Sequence, residues 1–242
     1  MSPLRAVLFA AALTLSLAHR ASAQEVASDT ARIAPVVVTA TRSPLPTGRT
    51  PASVTVVTGE QLRSEGITTV ADALRTVPGL SIVQSGSYGG ATSLFIRGGE
   101  SKYAKVLVDG VPVNDAGGAF DLSTLSTDNL DRIEVVRGPA SVLYGSDAMA
   151  GVVQLFTRRG AGTVSGDVSA RAGGFGSRDV EGSARGGSAR LSYSLGAAQH
   201  ATDGFHAFNS GFRQGVGSAF VGTSLGAFEA SVTARLTDRE LH

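Results

Sequence analysis

The stretch RIEVVRGPASVLYGSDAMAGVVQLFTRR, Arg132 to Arg159, decides the fold. It opens as a strand, Ile133-Glu134-Val135-Val136. It breaks at Gly138-Pro139, where proline lacks an N–H and fixes φ. A short helical turn follows at Ser141 to Tyr144. Gly145 and Gly151 bracket a compact corner, and Val152 to Thr157 reads as a second strand. Two strands around a glycine-closed corner make a small globular core element rather than a membrane span. After Arg159 the character of the chain changes entirely.

The chain has 242 residues, room for one or two domains. Its net charge of +1 argues against an electrostatic nucleic-acid binder. It has no cysteine, so neither a disulfide framework nor a thiolate metal site is available. With 31 glycines and no tryptophan, it suits turns and thin strands better than a helix bundle. Arg5, the apolar run Ala6 to Ala18 and Ala21-Ser22-Ala23 form a cleavable signal peptide, with maturation expected at Gln24. The apolar run is short of the ~20 residues a helical span needs. Nothing later suits a transmembrane helix, so any membrane insertion must use strands.

Gln24 to Ala34 is polar, without period, and reads as unstructured chain. The β-prone PVVVTATR, Pro35 to Arg42, is followed at once by Pro44, Pro46 and Gly48. It is either an ordinary edge strand or a strand offered to a partner's sheet, where main-chain hydrogen bonds give affinity. Ser53 to Val57 reads as a strand. Thr58 to Gln61 is a capping box that starts a short helix, which Gly66 ends. A second helix is expected over Thr69 to Thr76, with Val70, Ala73, Leu74 and Val77 on one face. Strands follow at Leu80 to Gln84 and Ser93 to Arg97, around a flexible loop, Ser85 to Thr92. Asp109-Gly110 between Val106-Leu107-Val108 and Val111-Pro112-Val113 predicts a type I′ hairpin, with Pro112 at a sheet edge. Asn114 to Asp121 is a second glycine-rich loop. A short helix is expected at Ser126 to Asp131. This makes an α+β domain, short helices on a small mixed sheet.

Beyond Gly160 the period is two. Val164, Gly166, Val168, Ala170 and Ala172 alternate with polar residues. So do Val180, Gly182 and Ala184; Leu191, Tyr193, Leu195 and Ala197; and Phe228, Ala230, Val232, Ala234 and Leu236. Gly211 to Gly222 is a weaker candidate. A soluble antiparallel sheet would alternate too. A small aliphatic outer face, paired charges on the other face and a signal peptide together point to an outer-membrane barrel. The long stretch His200 to Gly211 and the tight turns at Gly186-Gly187-Ser188 and Gly222 to Gly226 alternate as external loops and periplasmic turns do. Residues 161–242 hold about five strands, whereas barrels close at roughly eight or more. The expectation is a fragment of a longer protein, or a truncated one.

Catalytic signals are weak. Gly222-Thr223-Ser224-Leu225-Gly226 fits G-x-S-x-G but is followed by an alternating strand, not a helix, and reads as a turn. His200, Asp203 and His206 share one stretch without defined ligand geometry and read as a solvated loop. No phosphate loop, zinc-protease motif or dinucleotide fingerprint is present. No enzyme activity, cofactor or resident metal is expected.

Five ordered segments carry a resemblance: VVVTATR at Val36 to Arg42, LFIRG at Leu94 to Gly98, VLVDGVPV at Val106 to Val113, IEVVRGP at Ile133 to Pro139 and VLYGSDAMAGVV at Val142 to Val153. With them the chain resembles the TonB-dependent outer-membrane receptors. Ala119 to Leu125 and Tyr144 to Val153 are most similar to the cobalamin receptors. The resemblance implies a signal peptide at 1–23, a periplasmic TonB-box segment and linker at 24–50, a plug domain at 51–160 and the first strands of a 22-stranded barrel at 161–242. It implies that TonB binds Val36, Val37, Val38, Thr39 and Ala40. It implies that ligand meets Ser87, Tyr88, Asn114 and Phe120 on apical loops, and that Arg97 and Arg137 latch the plug to barrel glutamates. Partners are then TonB, outer-membrane lipid and a small molecule, a corrinoid or alternatively a ferric siderophore, and no nucleic acid. The stretch 200–211 has only Asp203, which speaks against calcium-assisted binding of the cobalamin-receptor kind. A third reading is a truncated plug protein that binds TonB without transporting.

One outcome follows from the box alone. Val37→Pro deletes a ladder donor and is expected to abolish energised uptake while surface binding persists. Unchanged active transport in a ligand-accumulation assay would overturn this.

Overall fold

The computed structural model describes Val37–Val38, Leu45–Pro46 and residues 53–206, 208, 210–226 and 228–241. The signal peptide, the period-free stretch 24–34 and Val36, Thr39 and Ala40 lie outside the described residues. Val37–Val38 (β1) pairs antiparallel with Leu45–Pro46 (β2).

In the α+β domain, β3 (Ser53–Thr58) runs straight into α1 (Gly59–Glu65). Thr58 caps the helix, its Oγ1 accepting from the Gln61 amide at 3.2 Å. The return arm of the capping box does not form. The Gln61 side chain donates forward to Glu65 at 3.0 Å instead, an i,i+4 pair on an exposed face. Gly66 closes the helix in the left-handed region. Thr69 caps α2 (Val70–Arg75), which buries Val70, Ala71, Ala73 and Leu74, with Val77 beyond it.

The hairpin of β4 (Leu80–Gln84) and β5 (Thr92–Ile96) follows. Then come β6 (Ala104–Val108) and β7 (Val111–Pro112), joined through Asp109 at φ 48° and Gly110 at φ 85°, the two positive values a type I′ turn needs. β8 (Leu130–Arg137), α3 (Ser141–Tyr144) and β9 (Gly151–Thr157) are the stretch quoted at the outset. The main sheet has order β3-β8-β9-β6-β7. β6 and β9 pair parallel and the rest antiparallel, so the sheet is mixed, with Pro112 on the edge strand. Leu62, Leu74, Ile96, Leu122, Leu130, Ile133 and Leu155 fill the core.

The helix expected at Ser126 to Asp131 is absent. A 3₁₀ turn lies earlier, at Leu122–Thr124. Ser126 makes a bridge with Thr69, and Asn129 adopts φ 54°. Asp and Asn compete with helix through local turns and tolerate the left-handed region. Here both are also held by the strands that follow.

Those strands are β10 (Ser165–Ala172), β11 (Arg178–Gly187), β12 (Leu191–Thr202), β13 (Phe212–Leu225) and β14 (Phe228–Leu241). They form one antiparallel meander in sequence order. Val168, Val180, Leu195, Val232 and Leu236 stand exposed on the outer face, as the period-two reading requires. The weak alternation of β13 has a cause. Its Phe212, Val216 and Phe220 turn inward and are buried, while Gly215 and Gly217 alternate with them on the outer face.

Two readings change. β12 extends to Thr202, so His200 is a buried strand residue rather than part of a solvated loop. The G-x-S-x-G segment is the end of β13 and a turn at Gly226, with no helix after it. Among the described residues no helix is long and apolar enough to cross a membrane.

Leu74 is fully buried in α2. Leu74→Ala is expected to destabilise the α+β domain by about 2–5 kcal/mol, measured as a shifted unfolding midpoint in urea.

Candidate functional site: a cavity above a polar interface

The α+β domain meets the strand sheet through polar groups, and the chain itself makes the first contact. The Gly160 carbonyl accepts from Ser192 Oγ at 2.7 Å. A Cβ at Gly160 would fall 2.3–2.4 Å from backbone atoms of Gly186 and Tyr193, so only glycine can carry the chain through here. Arg158 is buried beside it and donates to Asp167 at 2.9 Å and to Ser183 at 3.1 Å. Asn129 donates from its amide to Ser194 at 3.2 Å and Ser218 at 3.1 Å.

Alternate residues of a strand share a face, and β14 uses that period to meet three parts of the domain. Thr233 donates to Asp109 at 2.8 Å. Arg235 donates to Ser126 Oγ at 3.0 Å and to the Asp128 carbonyl at 2.5 Å. Arg239 donates to the Gly89 carbonyl at 3.0 Å and to Ser123 Oγ, with Asp121 3.8 Å away. Asp121 in turn accepts from the Thr92 amide at 2.8 Å and from Ser123 Oγ at 2.6 Å, tying the two glycine-rich loops together. Burial works to raise the Asp121 carboxyl, but hydrogen bonds from Ser123 and Thr92, with the Arg239 charge, hold it below the usual carboxylate range.

At the end of the sheet where β12 gives way to the 203–211 loop lies a cavity of 310 Å³. Tyr88, Phe175, Phe205 and Phe212 line it, with Asp179 and His200 in its wall. Tyr88 meets Phe212 edge to face, centroids 5.0 Å apart. Gly89 allows this approach: its φ is +78°, and a Cβ there would lie 2.1 Å from the Phe212 ring. Burial pushes the Tyr88 phenol up, against a hydrogen bond with Thr68 that works the other way, so the ring is a neutral hydrogen-bonding group. Such a cavity offers stacking faces and a few polar contacts, suited to holding a ligand. It assembles no nucleophile with a base and no cluster of three ligating side chains among the described residues.

The ligand and latch residues read from the resemblance fall in different places. Tyr88 lines the cavity, and Ser87, beside it, accepts from Gln84 through its carbonyl at 2.8 Å. Asn114 braces its own loop, bonding the Val106 amide at 2.8 Å and the carbonyls of Ala104 and Gly118. Phe120 packs on the core. Arg137 donates to the Pro78 carbonyl at 2.6 Å and to Thr55 at 2.7 Å, and Arg97 lies against Gly138, all within the α+β domain. The ties to the described strands run from Asp109 to Thr233, from Asp128 to His200 and Arg235, from Asn129 to Ser194 and Ser218, from Arg158 to Asp167 and Ser183, and from Gly89 and Ser123 to Arg239. The sequence carried a partial signal for these: Asp167, Ser183, Ser194, His200, Thr233, Arg235 and Arg239 sit on the polar register of alternating strands.

The family model for the TonB-dependent Receptor Plug Domain matches residues 46–152. The vitamin B12 transporter BtuB of Vibrio vulnificus (strain CMCP6) is 40% identical over 122 residues, covering 50% of this chain and 20% of that protein. The structure is similar to the pyoverdine outer membrane receptor FpvA of Pseudomonas aeruginosa PAO1, with a TM-score of 0.72 and 21% identity over 84% of this chain and 30% of FpvA. It is also similar to the copper transporter OprC, with a TM-score of 0.65 and 22% identity over 78% of this chain and 30% of OprC. At these identities the structural likeness is one of fold. The chain thus spans a fifth of the curated relative and about a third of the solved receptors it matches. A mixed-sheet domain joined through one glycine to an antiparallel strand wall is the fold shared with those structures. Over residues 46–152 the chain thus matches the plug domain of the TonB-dependent receptors, and in sequence it is similar to a vitamin B12 transporter.

Arg239→Ala is expected to weaken the hold on loop 85–91 by roughly 1.5–3 kcal/mol, read as faster hydrogen exchange of its amides. The contribution of Asp121 is present above about pH 3.9, the ordinary carboxyl value, and fades as the pH falls below it. Asp121→Asn should remove that acid dependence.

Proposed function

We propose that the protein serves TonB-dependent active transport of a scarce small molecule across the outer membrane, and that the molecule is a corrinoid. The observation that carries this is the 40% identity to a vitamin B12 transporter over 122 residues. In this reading residues 1–23 direct export, 24–50 hold the TonB box and linker on the periplasmic side, 51–160 form the plug and 161–242 begin the barrel. The cavity beside Tyr88 and Phe212 is part of the ligand's seat, with Ser87 and Tyr88 on the plug side. Its aromatic faces suit a large, flat, weakly charged molecule. A ligand there signals to the box only by binding one plug arrangement more tightly than another. TonB then adds the Val36–Ala40 segment to its sheet through main-chain hydrogen bonds.

A ferric siderophore is the second reading, favoured by the fold likeness to a pyoverdine receptor. Cells lacking their own corrinoid receptor and carrying the complete protein should accumulate labelled cyanocobalamin only when TonB is present. Accumulation of a ferric siderophore with none of cyanocobalamin would overturn the corrinoid assignment. Uptake that persists without TonB would overturn the energy coupling.

A further inference from the structure

One buried group in the interface has no part in the reading above. His200 projects from β12 between two carboxylates. Its Nδ1 lies 2.9 Å from Asp179 on β11, and its Nε2 lies 2.9 Å from Asp128 in the plug. His200 is 3% exposed and Asp128 5%. A neutral imidazole has one N–H, so it would satisfy one carboxylate and press a lone pair against the other. Two carboxylate acceptors at hydrogen-bond distance are both satisfied only by a doubly protonated ring.

The surroundings agree. Burial alone would raise the Asp128 carboxyl, yet the hydrogen bond and charge of His200 take it below the usual range, so it stands as a carboxylate. Its other oxygen has no hydrogen-bond partner; Ser126 and Glu181 also lie against the carboxylate, with His200 the stronger influence. Among the neighbouring groups, Arg235 from β14 bonds the carbonyl of Asp128 rather than its carboxylate. Glu181 of β11 is paired with Arg171 of β10 at 3.3 Å. Arg63 of α1, Arg158 and Asp167 lie around a small pocket on Asp128's other side. Gln214 of β13 is the register partner of His200, and Tyr88 lines the same cavity.

We propose that His200 is a positioning residue that, as an imidazolium, fastens the plug's 126–131 turn to the barrel wall from the wall of the ligand cavity. Asp179 holds the ring from the barrel side, and the second nitrogen grips the plug. Because Asp179 and His200 both line the cavity, an occupant can act on the fastening directly. That last step rests on the cavity being the ligand's seat; the fastening itself does not.

The sign of its pH dependence follows from the ring. The imidazolium form is complete below about 6.5, the ordinary imidazole value, and the fastening is lost as the pH rises and the proton leaves. The experiment is hydrogen–deuterium exchange on the complete receptor in detergent, without ligand, from pH 5.5 to 9. Protection factors are corrected for the intrinsic pH dependence of exchange. Protection of amides 126–131 should fall about tenfold across that range, while amides of β8 and β9 keep theirs. In His200→Gln, which keeps a polar side chain without the charge, protection should be low at every pH and flat. Asp128→Asn should give the same flat profile and stands in if the first variant misfolds. A flat profile in the unmodified receptor, or the original pH slope retained in His200→Gln, would overturn the proposal. No arm contains a corrinoid, so failure of the substrate assignment leaves these outcomes readable.

Discussion

A strand has two faces, and β10 to β14 give them to incompatible surroundings. One row of side chains is aliphatic and exposed, including Val168, Val180, Leu195, Val232 and Leu236. The other row faces the plug and is mostly polar, with Asp167, Asp179, Glu181, His200, Arg235 and Arg239. A one-residue slip in any strand would exchange the rows. The continuous register from β10 to β14 therefore fixes both what the wall offers a membrane and which groups can hold the plug. Every contact described between the domains follows from that register.

The character of the interface has an energetic meaning. A hydrophobic seam would hold in proportion to its area and resist separation throughout. Here the plug is held by discrete hydrogen bonds, most worth about 0.5–1.5 kcal/mol net and more where a charge takes part. Orientation is set sharply, because each donor has one acceptor at one distance. Phe212, Val216 and Phe220 add an apolar strip to this interface, and most of the buried apolar mass is kept in the plug core around Leu62, Leu74, Ile133 and Leu155.

Much of this was legible in the sequence because it is local. The Asp109-Gly110 turn, the caps at Thr58 and Thr69 and the strand that follows Gly151 depend on neighbours a few residues away. The alternating strands were legible for the same reason. What failed was non-local. Ser126 to Asp131 looked helical because its partners, Arg235, Ser194 and Ser218, lie far along the chain and claim groups a helix would have left to solvent. The alternation of β13 was blurred because Phe212 and Phe220 turn toward the plug, as only the assembled interface explains. The arginines that tie the plug to these strands, Arg158, Arg235 and Arg239, lie at and beyond its last strand, where no motif marks them. His200 was visible as a titratable residue, but its role depends on Asp128, which nothing in the sequence placed beside it.

The order of the plug's sheet gives it a mechanical polarity. β3, its first strand, lies at the edge and is held by a single ladder to β8. β9, its last, lies inside the sheet between β8 and β6, and its C-terminal end is gripped by Arg158 and threaded through Gly160. Tension on the N-terminal end meets one row of hydrogen bonds, whereas tension at the other end meets two rows and the barrel wall. Under load, the domain is built to yield from its beginning and stay anchored at its end.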